Sequence, residues 1–387
     1  MNRKSRQHTA AMQQYYSDAL SDLAPDGRPY ALLDWPNHNN VGDSAIWLGE
    51  IEALRSLTGR DPSYVAHETQ PVDDLPRYLR AGTVFLHGGG NFGDVWPAYH
   101  APRIQRLELL KGYRIVQLAQ TIHYVDQKMA DEMARAIDAH GRFTLVVRDR
   151  KSLVYARRQF DCDVRLAPDA AYWIAPVGSV NVPCEPVVAL MRTDKERVTH
   201  AQDADGLRGI TTVFDWPPEQ RMSRFDRRRT KHRRLLALLS RDPQAVKLAI
   251  AMRRTEGRLR HGLDLLARGE VVLTDRLHGH ILSTLLGKPH VVLDNSYGKT
   301  TSYIESWPDD GLTHLVSDFH AARHLLAALL EEKRGFAADR EPAAVSWSVS
   351  YRSGASRCGI DGPAANHVTF QRCECRRLPQ RRIAWTR

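Results

Sequence analysis

Cysteine is scarce, with five in 387 residues. Cysteines so few and so scattered exclude a disulfide scaffold and point to a reducing compartment. Long apolar runs are missing as well. No stretch approaches the roughly 18 apolar residues of a membrane span, and Met1 to Gln14 is basic and polar, without the apolar core of a signal peptide. The expectation is a cytoplasmic chain, at most peripheral at the inner face of a membrane. There is no internal repeat. With 42% hydrophobic and 26% charged residues the composition is that of a globular protein rather than a fibrous or disordered one. The length exceeds one ordinary domain and suggests two.

What is present is an uneven charge. The net charge is +10. Residues 221–260 hold 14 Lys+Arg against 3 Asp+Glu, and residues 343–387 hold 8 Arg against Asp361 and Glu374, so the remainder carries −7. This is an acidic body with two basic segments, whereas a nucleic-acid-binding protein carries a basic face on its main fold. No nucleic-acid partner is therefore expected. Leucines interleave with the arginines of 221–260, a pattern that suits either a basic amphipathic helix on an anionic membrane surface or a solvated helix pair packed by its apolar side. The tail from about 339 concentrates Ser, Gly, Arg and three cysteines, and reads as a disordered basic extension. Its Cys358, Cys373, Cys375 and His367 fit no usual zinc spacing.

After an N-terminal helix expected over Thr9–Leu23, apolar runs of strand length recur at Tyr30–Asp34, Ser63–His67, Thr83–His87, Arg114–Leu118 and Phe143–Arg148. Helix-period stretches at Ser44–Leu57, Ala101–Lys111 and Gln127–Ala139 lie between several of them. A second series follows: Pro186–Met191, Gly209–Phe214, Val271–Thr274 and His290–Asp294, with helices near Gly279–Leu286 and Asp318–Lys333. This rhythm predicts an α/β fold of two Rossmann-like domains facing a central cleft, 1–178 and 179–338, joined where Pro176, Gly178, Pro183 and Pro186 cluster. Such sheets bind ligands at the carboxyl ends of their strands.

The polar motifs fall at those ends. Asn37-His38-Asn39-Asn40-Val41-Gly42-Asp43-Ser44 follows the first strand and opens a helix, with Gly42 permitting a tight turn and Asp43 or Ser44 expected as the cap. His87-Gly88-Gly89-Gly90-Asn91 lets backbone approach an anion closely, but fits neither the dinucleotide fingerprint nor a Walker loop. Arg148 ends a strand, in Arg148-Asp149-Arg150-Lys151-Ser152. Asp275-Arg276-Leu277-His278-Gly279-His280 supplies a planar guanidinium fork and an imidazole able to transfer a proton near neutral pH. Lys299, between Gly298 and Thr300 after another strand, can meet an anion. Asp161-Cys162-Asp163 resembles the Asp-x-Asp of metal-dependent sugar transferases, a pattern common by chance. No carboxylate cage for a metal is visible, so no metal site is expected.

Together, Asn40-Val41-Gly42-Asp43, His87-Gly88-Gly89-Gly90-Asn91, Arg148-Asp149 with Ser152, Pro168-Asp169 and Asp275-Arg276-Leu277-His278-Gly279 resemble the polysaccharide pyruvyl transferase family, in the family's order and over about residues 30–335. The likeness is greatest to the bacterial exopolysaccharide branch. It implies a GT-B-like fold and transfer of a pyruvyl group from phosphoenolpyruvate to a sugar as a cyclic ketal, with no cofactor. The acceptor would be a sugar or a lipid-linked oligosaccharide. It further implies that Arg276, Leu277 and His278 form the donor site with Arg148. Asp43, Asn91, Asn40, Gly42, His87, Gly89, Gly90, Asp169 and Asp275 match motif positions. His278 and Asp43 are the candidate acid and base. The competing reading is a nucleotide-sugar-dependent GT-B glycosyltransferase, which requires a base pocket and a carboxylate for ribose.

Overall fold

The computed structural model describes residues 3–24, 27–174, 183–194, 196, 211–216 and 242–338. The tail, residues 221–241 of the basic segment and the expected domain boundary at 178 lie outside them. The fold is α/β, with two parallel sheets flanked by helices. The first sheet holds β1 (Tyr30–Trp35), β2 (Tyr64–His67), β3 (Thr83–Leu86), β4 (Gly89–Gly93), β5 (Arg114–His123), β6 (Phe143–Val147) and β7 (Asp163–Leu166) in the order β2-β1-β3-β5-β6-β7, with β4 also paired to β5. The second holds β8 (Glu185–Leu190), β9 (Thr212–Phe214), β10 (Gly269–Thr274), β11 (His290–Val292) and β12 (Thr313–Leu315) in the order β12-β11-β10-β8-β9. Every pairing between them is parallel. Central strands of such sheets are covered on both faces and read as continuous apolar runs, as β3 and β6 do.

Nine helices are described: α1 (Arg3–Leu20), α2 (Val41–Thr58), α3 (His100–Leu109), α4 (Gln127–His140), α5 (Arg150–Gln159), α6 (Pro243–Ala267), α7 (Leu277–Leu286), α8 (Lys299–Ser306) and α9 (Phe319–Ala338). The largest core runs through both halves, joining Trp47 and Ile51 of α2 to Leu259 and Leu263 of α6 and to Ile281 of α7. α1 crosses between the halves. Its Ser5 hydroxyl donates to the Thr284 carbonyl (2.5 Å) in α7, and its Gln13 amide donates to the Tyr172 carbonyl (2.9 Å).

Local physics departs from the sequence expectations at several points. Asn40, not Asp43 or Ser44, caps α2, its side chain accepting from Gly42 N at 2.9 Å. The first helix begins at Arg3, earlier than expected, and β5 runs on to His123. Lys299 opens a helix that no sequence expectation had placed there. Asp163 is the exposed first residue of β7, paired with Arg165, so the Asp-x-Asp serves an edge strand. Within 242–260, the basic helix turns Leu248, Ala251, Thr255 and Leu259 inward, while Arg253 and Arg260 face solvent. That is the packed reading of this segment.

Open parallel sheets bind ligands where the strand order reverses. In the first sheet the order reverses around β1 and β3, and in the second around β10 and β8. The two polar motifs of the N-terminal half follow β1 and β3, and Arg192 and Arg276 follow β8 and β10.

Candidate active site

A cavity of about 320 Å³ opens at these strand ends, lined by residues of both halves, including Asp43, Arg148, Arg192, Arg276, His278 and Lys299. Arg148 projects from the end of β6 and is 1% exposed. Its Nη1 donates to Asp169 Oδ2 at 2.6 Å and its Nε to the Thr121 hydroxyl at 2.9 Å. The same Asp169 oxygen lies 3.3 Å from His278 Nε2. Burial alone would raise the Asp169 carboxyl, but His278 and Arg148 outweigh it and hold it well below the usual range. Asp169 therefore stays ionised and fixes both the guanidinium and the imidazole.

Arg276 stands at the N-cap position of α7 and grips Asp215 through two parallel bonds, Nε to Oδ1 at 2.6 Å and Nη2 to Oδ2 at 2.7 Å. Its Nη2 also lies 3.3 Å from Asp194. Leu277 and His278 are the first residues of α7, and no side chain caps that end of the helix, so its amides face the cavity with the positive end of the helix dipole. Lys299 begins α8, whose first amides are instead taken by side chains: Lys299 N donates to Asn295 Oδ1 at 2.8 Å and Thr300 N to Asp294 Oδ1 at 3.1 Å. Lys299 Nζ lies 3.7 Å from Glu196, and burial, reinforced by Arg148 and Arg192, pushes its ammonium down to about 8 despite that carboxylate.

Two glycines have steric work here. A methyl group on Gly42 would lie 2.3 Å from His278 Nδ1, and one on Gly90 would lie 2.2 Å from Lys299 Nζ and 2.9 Å from Arg148 Nη2. Close approach of these side chains to backbone requires glycine at both positions. Gly89 lies behind, beside Asp43. Asn40 and Asn91 line the cavity, and Asn91 Oδ1 accepts from Arg103 (2.8 Å) and Gln120 (3.2 Å). Asp43, in the first turn of α2, faces His38 across 3.5 Å.

Gly42, Gly89 and Asp169 stand just behind the lining residues, and two further sequence candidates, Asp275 and His87, also sit outside this cavity. Asp275 accepts from Arg192 N at 2.8 Å, and burial raises its carboxyl to about 6. It buttresses the strand end from behind. His87 turns onto the buried Glu50, with Nδ1 2.7 Å from Oε2, and Gly88 N donates to the other oxygen of that carboxylate. His87 instead lines an adjoining cavity of about 220 Å³, which shares His38, Asp43, Asn91 and Tyr99 with the first.

Sequence reasoning missed a second ring of carboxylates. Glu196 receives hydrogen bonds from Trp96 Nε1 (2.9 Å), the Tyr297 hydroxyl (3.0 Å) and Asn295 Nδ2 (3.2 Å), and pairs with Arg192 (3.1 Å). Burial would raise it, but Lys299 and Arg192 outweigh that and bring it to about 2. Arg192 stands two residues past β8 and Asp215 directly follows β9, positions that the strand-end rule could have flagged. Nothing in the sequence distinguishes Glu196. Cations held rigidly by ionised carboxylates, beside the uncapped start of α7, suit a small dianion carrying carboxylate and phosphate.

Comparison with known proteins agrees with this geometry. Residues 40–297 match the family model described as Polysaccharide pyruvyl transferase. Pyruvyl transferase 1 of Schizosaccharomyces pombe is 30% identical over 327 residues, covering 76% of this chain and 75% of that protein. EpsO of Bacillus subtilis, provisionally named a pyruvyl transferase, is 29% identical over 295 residues, covering 74% and 88%. The crystal structure of an uncharacterised Klebsiella pneumoniae protein superposes with a TM-score of 0.50 at 15% identity, over 82% of this chain and 100% of that one, a likeness of fold alone. The motifs after β1, β3, β6 and β10 and the match spanning them thus lead to one assignment: the chain belongs to the polysaccharide pyruvyl transferase family and is a transferase.

Proposed function

We propose that this transferase moves a pyruvyl group from phosphoenolpyruvate to a saccharide, as a cyclic ketal, across a cleft between two Rossmann-like halves of GT-B-like arrangement. The observation that carries this reading is the convergence of Arg148, Arg192, Arg276 and Lys299 with His278 on one small cavity. A carboxylate and a phosphate together demand that many positive donors, and planar guanidinium groups meet both in bidentate fashion. The two cavities serve as donor and acceptor lobes, with Asp43 on their shared wall.

The steps follow from that placement. His278, oriented by Asp169, delivers a proton to C3 of the enol and leaves C2 cation-like. Asp43 accepts the proton of an acceptor hydroxyl as its oxygen attacks C2. The C2–O bond to phosphate then breaks, and the cations take up the leaving charge. A second hydroxyl closes on C2, its proton departing with phosphate. The sum is phosphoenolpyruvate plus a diol giving a ketal plus phosphate, and no cofactor takes part. General acid–base help of this kind contributes roughly 10²–10⁴-fold. The reading places the chain in exopolysaccharide assembly, where a lipid-linked repeat unit is the natural acceptor. No described helix is long and apolar enough to cross a membrane.

The test is phosphate release from phosphoenolpyruvate with a lipid-linked oligosaccharide extract as acceptor, with mass analysis of the product. A gain of one pyruvate less one water, matched by acceptor-dependent phosphate, is the expected result. Consumption of a nucleotide sugar without phosphate release would overturn it. His278→Ala should lose at least ~10²-fold in turnover with unchanged circular dichroism. Wild-type turnover in that variant would remove His278 from the chemistry.

A further inference from the structure

Behind α7, on the side away from His278, three side chains from separate elements meet: His280 of α7, His290 of β11 and Asp310 of the segment leading to β12. One ligand atom of each lies within 4.8 Å of the others, and all three residues are buried. The geometry points to a site for a divalent transition-metal ion of the two-histidine, one-carboxylate type, distinct from the anion-binding cavity.

The donor atoms are prepared for a cation. His290 Nδ1 lies 2.9 Å from the Lys288 carbonyl. A carbonyl only accepts, so the proton is on Nδ1 and the Nε2 lone pair faces the cluster, the arrangement that backbone carbonyls impose on metal-binding histidines. Asp310 Oδ1 accepts from the backbone amides of Leu312 and Thr313, both at 2.8 Å, which orients the carboxylate. Its Oδ2 accepts from the Thr284 (2.5 Å) and Thr313 (2.8 Å) hydroxyls. His280 Nδ1 lies 2.8 Å from His290 Nε2. Two bonds of the usual ~2.05 Å at right angles would separate their ends by ~2.9 Å, so this spacing suits adjacent positions of a six-coordinate ion, as in facial triads. The Thr313 oxygen lies 3.1 Å from His280 Nδ1 and 2.9 Å from His290 Nε2, within reach as a further oxygen ligand.

In the ion-free protein a single imidazole proton, on His280 Nδ1, bridges to His290 Nε2. An ion takes that bridging position once His280 shifts to its Nε2–H tautomer. A cavity of about 250 Å³ lined by His8, His280, Asp310 and Thr313 gives access. The bound ion would tie α7, which carries Arg276 and His278 at its start, to β11 and to the approach to β12.

The test is Co²⁺ titration of the full chain after dialysis against a chelator, followed by visible absorption. The expected result is one equivalent with imidazole and carboxylate ligand-field bands and no thiolate-to-cobalt band, and a rise in Tm that Zn²⁺ reproduces. Changing a residue that merely supports a metal ligand typically costs ~10–100-fold in affinity, so His290→Gln and Asp310→Asn should each cost at least that, whereas His278→Ala should bind as wild type does. Two variants guard against one failing to fold, and their dichroism reports this. Undiminished affinity in both folded variants, or a spectrum dominated by thiolate, would overturn the proposal. So would the absence of a Tm shift at millimolar Zn²⁺.

Discussion

Gly42 touches the imidazole that the proposed chemistry needs, and this makes it the most informative single residue to change. A Cβ there would sit 2.3 Å from His278 Nδ1. The ring can swing aside, and the His278 Cβ at 3.0 Å has to give only slightly, so Gly42→Ala should still fold. The swing breaks the 3.3 Å contact to Asp169. Displacements of about 1 Å cost on the order of 10²-fold, so kcat should fall by about that factor while the free energy of unfolding stays within ~1 kcal/mol of wild type. Wild-type kcat would show that the position of His278 is not critical. Lys299 permits a separate test by pH. Its ammonium is pushed down to about 8, so the free enzyme loses this cation as pH rises through that value. kcat/KM reports free-enzyme groups. For phosphoenolpyruvate it should fall above pH about 8, and Lys299→Arg, charged throughout, should lack that limb. An unchanged limb in the arginine variant would assign it to another group. At this scale the sequence was partly legible. Arg148, Arg276, His278 and Lys299 stand at strand ends, where position announces them. That His87 lines the adjoining cavity rather than the first was not legible, because its partner, Glu50, lies in the middle of a helix and nothing local links the two.

Among the elements, α6 best separates what composition shows from what folding decides. Its composition left a membrane-surface helix and a packed helix both open, and its burial follows the spacing Leu248, Ala251, Thr255, Leu259, Gly262, Leu266 along α2 and the core. Arg254 and Arg258 reach back to Asn37 Oδ1 (3.1 Å) and the Pro36 carbonyl (3.1 Å), so this helix of the second half steadies the loop that presents Asn40 and Asp43. A glycine pair on it makes the packing testable. A methyl group on Gly257 meets nothing within 4 Å, whereas one on Gly262 lies 2.4 Å from Val41 Cγ1 at the start of α2. Gly257→Ala should stabilise by roughly 0.5–1 kcal/mol through helix propensity. Gly262→Ala gains the same propensity but overpacks a β-branched neighbour that has no free rotor, at a cost of about 1–3 kcal/mol. Denaturant midpoints moving in opposite directions are the expected outcome, and two equal gains would show that α6 does not press on α2. Short strands such as β4, β7 and β12 escaped the sequence because three to five residues carry no period, and pairing with longer neighbours stabilises them.

Across the whole molecule, the βαβ rhythm was readable because parallel strands buried on both faces leave continuous apolar runs, and the site was readable in outline because such sheets bind at strand ends. The ring of carboxylates behind the cations was not, since it is assembled by the meeting of two halves about 100 residues apart, as in the Trp96–Glu196 bond. That ring has a consequence for stability. Glu196 ionises at about 2 in the fold, against 4.5 ordinarily. Above pH ~4.5 both folded and unfolded chains are ionised here and the stabilisation is complete. As pH falls toward 2 the unfolded chain takes up the proton first and the stabilisation drains away. The gap corresponds to about 3 kcal/mol. Asp169 and Asp310 are depressed in the same sense, so Tm should fall steeply below pH ~4.5. Glu196→Gln lacks one of these contributions at neutral pH. Its Tm should lie below that of wild type at pH 7 and converge on it only as pH approaches 2, where the wild type has lost most of what Glu196 supplied. Melting curves that stay parallel across this range would mean that Arg192 and Lys299 gain nothing from Glu196 in the folded chain, and that the cations are held in place by their other partners.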